Sequence, residues 1–290
     1  MRRDKLPLGR QLLLQLLLLF ITFIVMFPIM WIVTLSLDPR GELRPTELRL
    51  IPRDATFDAY REVLDHPTAN PVSFAELAFN SFKLTAGVTL FSLTIAISAA
   101  YTFSRKQFPG RKFMMLGIIT VLMLPAIATI APLFVTLNGV RIGEFNLRNS
   151  LWGVGLAMSA GALPFAIWNL KGYLDTIPKE LEEAAIIDGA GPNQVFLRII
   201  LPLSVPALAV TAFLGFIAGW TEFALSWQFL TDPGDFTLAM ALWNMTGQYA
   251  GSVPWSNFAA MSVLVTFPVA LVYLSLQKYI VGGLTIGSVK

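Results

Sequence analysis

The 290-residue sequence contains no cysteine and a single histidine, His66, which lies in the polar stretch LDHPTANP. A chain without thiols can form neither disulfides nor thiolate metal sites, and one histidine is too few for the familiar zinc sites that use two or more histidines. Because His66 lies in a polar loop, we expect it to be solvated and not to belong to a catalytic triad. The phosphate-binding motif G-x-x-x-x-G-K-S/T is absent as well. We therefore expect this chain to carry no catalytic residue, no metal and no cofactor of its own.

Charged residues are also scarce, at 13% of the chain, whereas soluble domains carry about 25%. The net charge of +3 is not a nucleic-acid signature, because no basic face exists outside the loops. What remains is a set of uncharged windows, each long enough for a helix of about 20 residues to cross a bilayer. These windows cover residues 11–37, 84–104, 113–140, 149–170, 199–221 and 258–277.

The last window belongs to a longer uncharged run that begins at residue 236, and we interpret its polar part, 244–257, as a loop. The first window is too long for the apolar region of a signal peptide, which favours an uncleaved helix. The predicted fold class is therefore an all-α integral membrane protein with six transmembrane helices.

The basic residues predict the orientation of these helices, because loops rich in Lys and Arg stay in the cytoplasm. The N-terminus, the 105–112 and 171–198 loops and the tail hold 13 of the 21 Lys and Arg residues. Acids outnumber basic residues in the 38–79 loop, and the 227–257 loop has no Lys or Arg. We therefore expect both termini in the cytoplasm and the 38–79, 138–149 and 227–257 loops outside.

This topology divides the chain into four parts. They are a cytoplasmic N-terminus with the first helix (1–37), an extracytoplasmic loop (38–79), a five-helix core (80–281) and a cytoplasmic tail (282–290). The core contains the cytoplasmic 176–200 loop and the outward 227–257 loop.

Prolines lie inside several spans: Pro28, Pro125, Pro132, Pro164 and Pro268. Each is expected to kink its helix, either as an irregularity of packing or because the kinked helices line a path that opens and closes.

Glu222 is the one acid flanked closely by apolar residues on both sides, in AGWTEFALSW. A charge inside the membrane is costly and points to function, so Glu222 and its neighbour Trp220 are candidates for a substrate path. The alternative is a structural role at the outer membrane surface, where Trp220 and Trp227 would form an aromatic belt.

The most polar interruption of the core is EEAAIIDGAGPNQVFLRIILP, at 182–202. Pro178 and the acids that follow it favour a helix start, Gly189 favours the end of that helix, and Pro192 favours a second start. We predict a helix–turn–helix along the membrane surface, with an apolar face made of Leu181, Ala184, Ala185 and Ile187. The residues alone fit either an ordinary amphipathic segment or a docking surface for another protein.

The same stretch carries a complete E-A-A, three residues, G, nine residues, I-x-L-P pattern, at 183–185, Gly189 and 199–202. It resembles the EAA loop of permeases from binding-protein-dependent ABC importers. The segments FPGRK (108–112), MLPAIATIAPLF (123–134) and GGLTIGSVK (282–290) are similar to the carbohydrate-uptake branch, above all to its maltose/maltodextrin permeases. The similarity covers nearly the whole chain.

The resemblance implies a type I ABC importer permease fold in a prokaryotic inner membrane, importing maltose, maltodextrin or a related oligosaccharide. The chain would be a transporter subunit rather than an enzyme, in contact with membrane lipid. The implied partners are a second homologous permease, an extracytoplasmic sugar-binding protein and two ATPase subunits, which bind the ATP and magnesium.

The resemblance also implies three contact sites. The ATPase would dock on Glu182, Glu183, Ala184, Ala185, Asp188, Gly189 and Ala190. The ATPase pair would also contact the tail residues Gly287, Ser288, Val289 and Lys290. The sugar-binding protein would contact the outward-loop residues Gln248, Tyr249, Ala250, Gly251 and Ser252.

Other functions stay open at this stage. The solute of such a permease could be trehalose, another oligosaccharide or glycerol phosphate. A secondary transporter driven by an ion gradient would need buried ionisable groups, for which Glu222 is the candidate. A membrane enzyme or signalling scaffold lacks any catalytic constellation in the sequence.

Overall fold

The structure is a computed structural model and describes residues 7–40, 52, 54–246 and 253–286. Its elements, in chain order, are α1 (Leu8–Ser36), α2 (Asp58–Asp65), α3 (Phe74–Arg105), α4 (Arg111–Val121), α5 (Ala126–Asn138), β1 (Arg141–Ile142), β2 (Phe145–Asn146), α6 (Leu151–Leu174), α7 (Glu180–Ile187), α8 (Pro192–Val195), a π-helix (Phe196–Ile200), α9 (Leu201–Leu203), α10 (Val205–Trp220), α11 (Ala224–Phe229), a 3₁₀ turn (Pro233–Asp235), α12 (Leu238–Asn244) and α13 (Trp255–Ile286). The two strands form an antiparallel hairpin.

Within the described residues, five stretches are helical, long and apolar enough to cross a membrane. They are α1, α3, α6, the stretch Val205–Phe229 and the Trp255–Ile280 part of α13. These agree with five of the six expected spans. A sixth crossing exists if α4 and α5 count as one span.

The span expected over 113–140, with a kink at Pro125, is broken into two helices at that point. Helix α4 ends at Val121, α5 begins at Ala126, and the two axes meet at a bend of 100°. Pro125 is the cause, because it lacks an N–H for the helical ladder and forces the residue before it out of helical geometry. The chain passes this point in tight turns, one of which is closed by the Leu124 N–H donating to Val121 O at 3.1 Å.

Helix α3 begins at Phe74, ten residues before the expected span. The predicted end of the 38–79 loop is therefore wrong, because its last residues belong to α3. Ser73 and Glu76 form a capping box, in which Ser73 N–H donates to Glu76 Oε2 at 2.8 Å and Glu76 N–H donates to Ser73 Oγ at 3.4 Å. A search for uncharged windows could not include Glu76 and Lys83, although both lie on this helix.

The 227–257 region, which the sequence predicts as one outward loop, is likewise not a single loop. It contains the end of α11, the 3₁₀ turn, α12 and the start of α13, which begins at Trp255. Residues 247–252 lie outside the described residues.

The chain divides into two units, of which the first comprises residues 1–69 and 244–266. In this unit the Ser36 and Tyr60 hydroxyls share a hydrogen bond of 2.7 Å at the end of α1. Beyond it, Asp38 accepts hydrogen bonds from the Arg40 guanidinium, which hold the pKa of that carboxyl below its usual value. Ser256 Oγ, near the start of α13, donates to the Asp38 backbone oxygen.

The second unit, residues 70–243 and 267–290, is built around α3, α6 and α10. Small residues let α10 approach α3 closely: a Cβ added to Gly219 would lie 3.0 Å from Thr85 Cα, whereas one added to Gly215 would lie 3.4 Å from Thr89 Oγ1. Close backbone approach at small residues is a common way for helices to associate in membranes. The ends of α3 and α6 nearest the 176–200 loop share a buried cluster with it, which includes Phe103, Leu174 and Ile200.

Candidate functional site

The 176–200 loop folds as the sequence predicts, into a helix–turn–helix. Helix α7 carries Glu180, Glu182 and Glu183 in its first turn, where the positive end of the helix dipole favours acids. The N–H groups of Glu182 and Glu183 both donate to Lys179 O, at 2.9 and 3.1 Å, so backbone bonds begin the helix without a side-chain cap.

Gly189 ends α7 in the left-handed conformation, with φ of +87°. Its N–H donates to Ile186 O at 3.0 Å, and the Ala190 N–H donates to Ala185 O at 2.9 Å. This pair of bonds is a Schellman motif, which needs a positive φ and therefore favours glycine. The predicted helix end at Gly189 is confirmed.

The outer surface of the loop combines acids with apolar and small side chains. Glu183, Ala184, Asp188 and Gly189 are exposed, and so is Ile187, at 85%. Leu181 and Ile186 add further exposed apolar area. A group of exposed apolar side chains bordered by charges is typical of a surface that another protein or the membrane covers.

The other face of α7 packs inward. Ala185 and Ala190 are half-buried against the cluster that contains Phe103 and Ile200. The seven residues that the sequence predicts as one docking surface therefore lie on two different sides of α7. Glu183, Ala184, Asp188 and Gly189 share the open side, whereas Ala185 and Ala190 support it from beneath.

Glu182 is also on the inner side, where it forms an ion pair with Arg105 at the end of α3. The two side chains are 12% and 7% exposed. Glu182 Oε2 also accepts a hydrogen bond from the Tyr101 hydroxyl at 3.1 Å, and Arg105 Nη2 donates to Ile177 O at 2.9 Å. Sequence reasoning missed Arg105, Tyr101 and the inward side of Glu182. Helical spacing was the available signal, since Glu182 lies one turn before Ala185 and about 100° around the helix from Glu183.

A second contact ties the ends of α3 and α6 together beside the loop. Asp175 accepts hydrogen bonds from Ser104 Oγ at 2.6 Å and from Lys171 Nζ at 2.5 Å. Burial acts to raise the pKa of Asp175, but these two hydrogen bonds and the charges of Lys171 and Arg111 together outweigh it and hold that pKa below its usual value. We call the contacts among Tyr101, Ser104, Arg105, Lys171, Asp175 and Glu182 the clasp.

The second half of the loop leads into α10. Pro192 begins α8, and the Gly191 N–H donates to Gln194 Oε1 at 3.0 Å. Val195 and Ile200 are buried, and the Phe196 ring lies 5.0 Å from the Tyr101 ring. Residues Phe196–Ile200 form the π-helix, which is closed by the Leu201 N–H donating to Phe196 O. Pro202 cannot donate to the ordinary helical ladder, which explains this local widening.

Glu222 lies just beyond the end of α10 and caps α11. Its Oε1 accepts from Leu225 N–H at 2.6 Å, and its Oε2 accepts from Ser226 N–H at 3.2 Å and from Ser226 Oγ at 2.6 Å. This arrangement gives the carboxylate a local structural task. Trp220 is buried rather than placed in an exposed aromatic belt, whereas Trp227 is about half exposed, at 46%.

Two sets of expected contact residues lie outside the described residues. These are the outward-loop residues 248–252 and the tail residues 287–290. The expected tail does not begin at 282, because α13 continues to Ile286.

Three comparisons with known proteins cover two thirds of the chain or more. The family described as binding-protein-dependent transport system inner membrane component matches residues 92–285. Over 275 residues the chain is 34% identical to the galactooligosaccharides transport system permease protein GanQ of Bacillus subtilis, covering 95% of this chain and 94% of GanQ. Over 289 residues it is 35% identical to the maltose/maltodextrin transport system permease protein MalG of Escherichia coli, with coverage of 95% and 94%.

The fold is similar to a chain in the crystal structure of a bacterial ABC transporter involved in the import of the acidic polysaccharide alginate. The TM-score is 0.77 at 22% identity, covering 96% of this chain and 99% of that one. The family match covers the 176–200 loop and every residue of the clasp. The chain therefore belongs to the family of inner membrane components of binding-protein-dependent transport systems.

Proposed function

We propose that this chain is the permease subunit of an ATP-driven importer of an oligosaccharide, and that the 176–200 loop receives the force of ATP hydrolysis. The observation that carries this proposal is the two-sided build of α7. Its outer side exposes Glu183, Asp188 and Ile187, and its inner side is held by the buried ion pair between Glu182 and Arg105.

This build suits the transmission of movement. A docked ATPase would push on the exposed side of α7. Because the clasp joins α7 to the ends of α3 and α6, these ends would move together with α7. Packed helices respond to such a displacement as rigid bodies, which is how alternating inward and outward access arises. The sequence has no phosphate-binding motif, so a separate chain must supply the hydrolysis.

The proposed assembly contains two ATPase subunits on the cytoplasmic side, a second homologous permease and an extracytoplasmic sugar-binding protein. Co-purification with the neighbouring gene products, followed by transport assays with and without ATP, tests it. Transport that survives ATP depletion, with no ATPase subunit bound, would overturn the proposal.

Gly189→Arg tests the docking surface directly. A Cβ at Gly189 meets no atom within 4 Å, so the arginine would project from the exposed side and block a docked partner. We expect an inserted protein whose sugar-stimulated ATPase activity is lost. Gly189→Ala is the control, because it imposes the same backbone strain without the bulk and should keep the stimulation. Equal loss in both variants would point to strain rather than docking.

Maltose or maltodextrin is the proposed sugar, with trehalose, other oligosaccharides and glycerol phosphate as alternatives. Equilibrium binding of a sugar panel to the partner binding protein discriminates among them. An ion-driven transporter is the second candidate class, and it depended on Glu222. The carboxylate of Glu222 is already engaged by Leu225 and Ser226, so this observation does not favour that class.

A further inference from the structure

A groove of about 840 Å³ lies beside the start of α4 and is lined by three cations and no acid. The cations are Arg111, Lys112 and Lys171, and Phe108, Phe113 and Leu116 contribute apolar walls. We call this the basic groove. The 105–112 loop contributed to the predicted orientation, and its FPGRK segment to the family resemblance. Of the three cations, the transport mechanism proposed above uses only Lys171, as part of the clasp.

The charges of the basic groove are not balanced within the described part of the chain. Lys171 is paired with Asp175 at 2.5 Å, and Asp175 also accepts a hydrogen bond from Ser104. The charge of Asp175 acts on Arg111 as well, but not through a direct contact. The side chains of Arg111 and Lys112 have neither an ion-pair partner nor a hydrogen-bond acceptor among the described residues. Two cations therefore face the groove without a counter-charge in direct contact.

The start of α4 adds to this imbalance. The helix begins after Gly110 with no side-chain cap and no acid in its first turn. The backbone N–H groups of Lys112 and Phe113 have no acceptor among the described residues. Acids are the residues that stabilise a helix N-terminus, so placing two cations there is unfavourable unless an anion binds between them.

The walls of the groove indicate what kind of anion. Phe113 and Leu116 are 80% and 62% exposed, and they continue from the charged end of the groove along α4. A free phosphate ion would gain nothing from this apolar strip. A phospholipid would use both parts, because its phosphate and its acyl chains are joined in one molecule at the membrane surface.

We propose that the basic groove binds one anionic phospholipid. Arg111, Lys112 and the free N–H groups of α4 hold the headgroup phosphate, and an acyl chain lies on Phe113 and Leu116. The proposal rests on the cytoplasmic placement of the 105–112 loop, which is part of the proposed function. Anionic lipids are concentrated in the cytoplasmic leaflet, and basic pockets between membrane helices are known to hold their headgroups.

Native mass spectrometry of the full chain, titrated with phosphatidylglycerol, tests the proposal. Lys112→Gln should weaken binding about fivefold, the value expected for one cation near an anionic headgroup, and Arg111→Gln with Lys112→Gln about 25-fold. Lys106→Gln is the matched control, because it removes the same charge from the same loop without lining the groove. Equal losses at Lys106 and Lys112 would mean a diffuse charge effect and would overturn the site.

Two further arms separate the possible occupants. Phosphatidylcholine and inorganic phosphate should each fail to displace phosphatidylglycerol, whereas full displacement by phosphate would show an ion site instead of a lipid site. A photoreactive phenylalanine at Phe113 in the assembled complex should cross-link to lipid. Cross-linking to another subunit would show that a protein segment fills the groove, which would also overturn the proposal.

These measurements do not depend on the proposed transport function. Lipid titration requires neither an ATPase nor a sugar, so lipid binding and coupled transport can each fail while the other succeeds. Phosphatidylglycerol should also raise the thermal unfolding temperature of the wild-type chain but not of the double variant. A folded double variant with an unchanged lipid response would contradict the site.

Discussion

Breaking the buried ion pair of the clasp should destabilise the protein more than any other single charge removal in the 176–200 loop. Glu182→Gln keeps the shape of the side chain and leaves Arg105, whose side chain is 7% exposed, without a counter-charge. Removing one partner of a buried pair costs about 3–5 kcal/mol. Arg105 keeps its hydrogen bond to Ile177 O, so we expect the lower end of this range, about 3 kcal/mol.

The assay is the free energy of unfolding of the purified chain in mixed detergent micelles. Glu183→Gln is the control, since it makes the same chemical change at the exposed neighbouring position. An exposed substitution of this kind should change the free energy by about 0.5 kcal/mol or less. A double variant, Glu182→Leu with Arg105→Met, should recover most of the lost stability, because a matched apolar pair leaves no charge unpaired.

The functional readout separates the two glutamates further. Glu183→Gln should weaken the association with the ATPase while the chain stays stable. Glu182→Gln should leave the docking surface chemically intact but lower the sugar transported per ATP hydrolysed, because α7 would move without carrying α3. Equal stability losses at Glu182 and Glu183, or no rescue in the double variant, would refute the reasoning about the clasp.

Three other positions give independent predictions. Gly219→Ala should lower the free energy of unfolding by about 1–3 kcal/mol, because the added Cβ would crowd Thr85. Gly215→Ala should be near neutral, because its Cβ would lie at an ordinary contact distance from Thr89. Equal effects would contradict the close packing at Gly219. Glu222→Ala should cost about 1 kcal/mol by removing the cap of α11, and Glu222→Gln should leave transport unchanged; lost transport in the Gln variant would support a substrate-path role instead. The lowered pKa of Asp175 means that its stabilisation is present above the ordinary carboxyl pKa and is lost as pH falls through the folded-state value, so the unfolding free energies of wild type and Asp175→Asn should differ at neutral pH and converge in acid. A difference that persists in acid would exclude ionisation of Asp175 as the cause.

Local chemistry explains what the sequence could predict. The turn at Gly189 follows from the acids before it, the glycine itself and Pro192 after it, all within one short stretch. Of the six spans predicted from the long apolar windows, five are single helical stretches, because bilayer thickness sets helix length directly. Each of these signals is carried by residues close to the element that they determine.

The failures have tertiary or cooperative causes. Pro125 predicted a kink in the span over 113–140, but neither the proline nor the apolar composition on both sides of it could reveal that the bend reaches 100°. The inward side of Glu182 depends on Arg105, which lies 77 residues earlier in the chain. Grouping seven neighbouring residues by motif placed buried and exposed positions together, although helical spacing separates Glu182 from Glu183.

The π-helix at Phe196–Ile200 determines how the 176–200 loop is rotated relative to α10 about the helix axis. A π-helical turn is closed by a hydrogen bond between residues five apart instead of four, so it holds one more residue than an α-helical turn while the chain stays helical. Each residue of an α-helix advances the chain by about 100°. Deleting one residue at this point would keep the two segments joined but rotate them relative to each other by roughly that angle. The one extra residue of the π-helix therefore determines the direction in which α7 faces relative to α10.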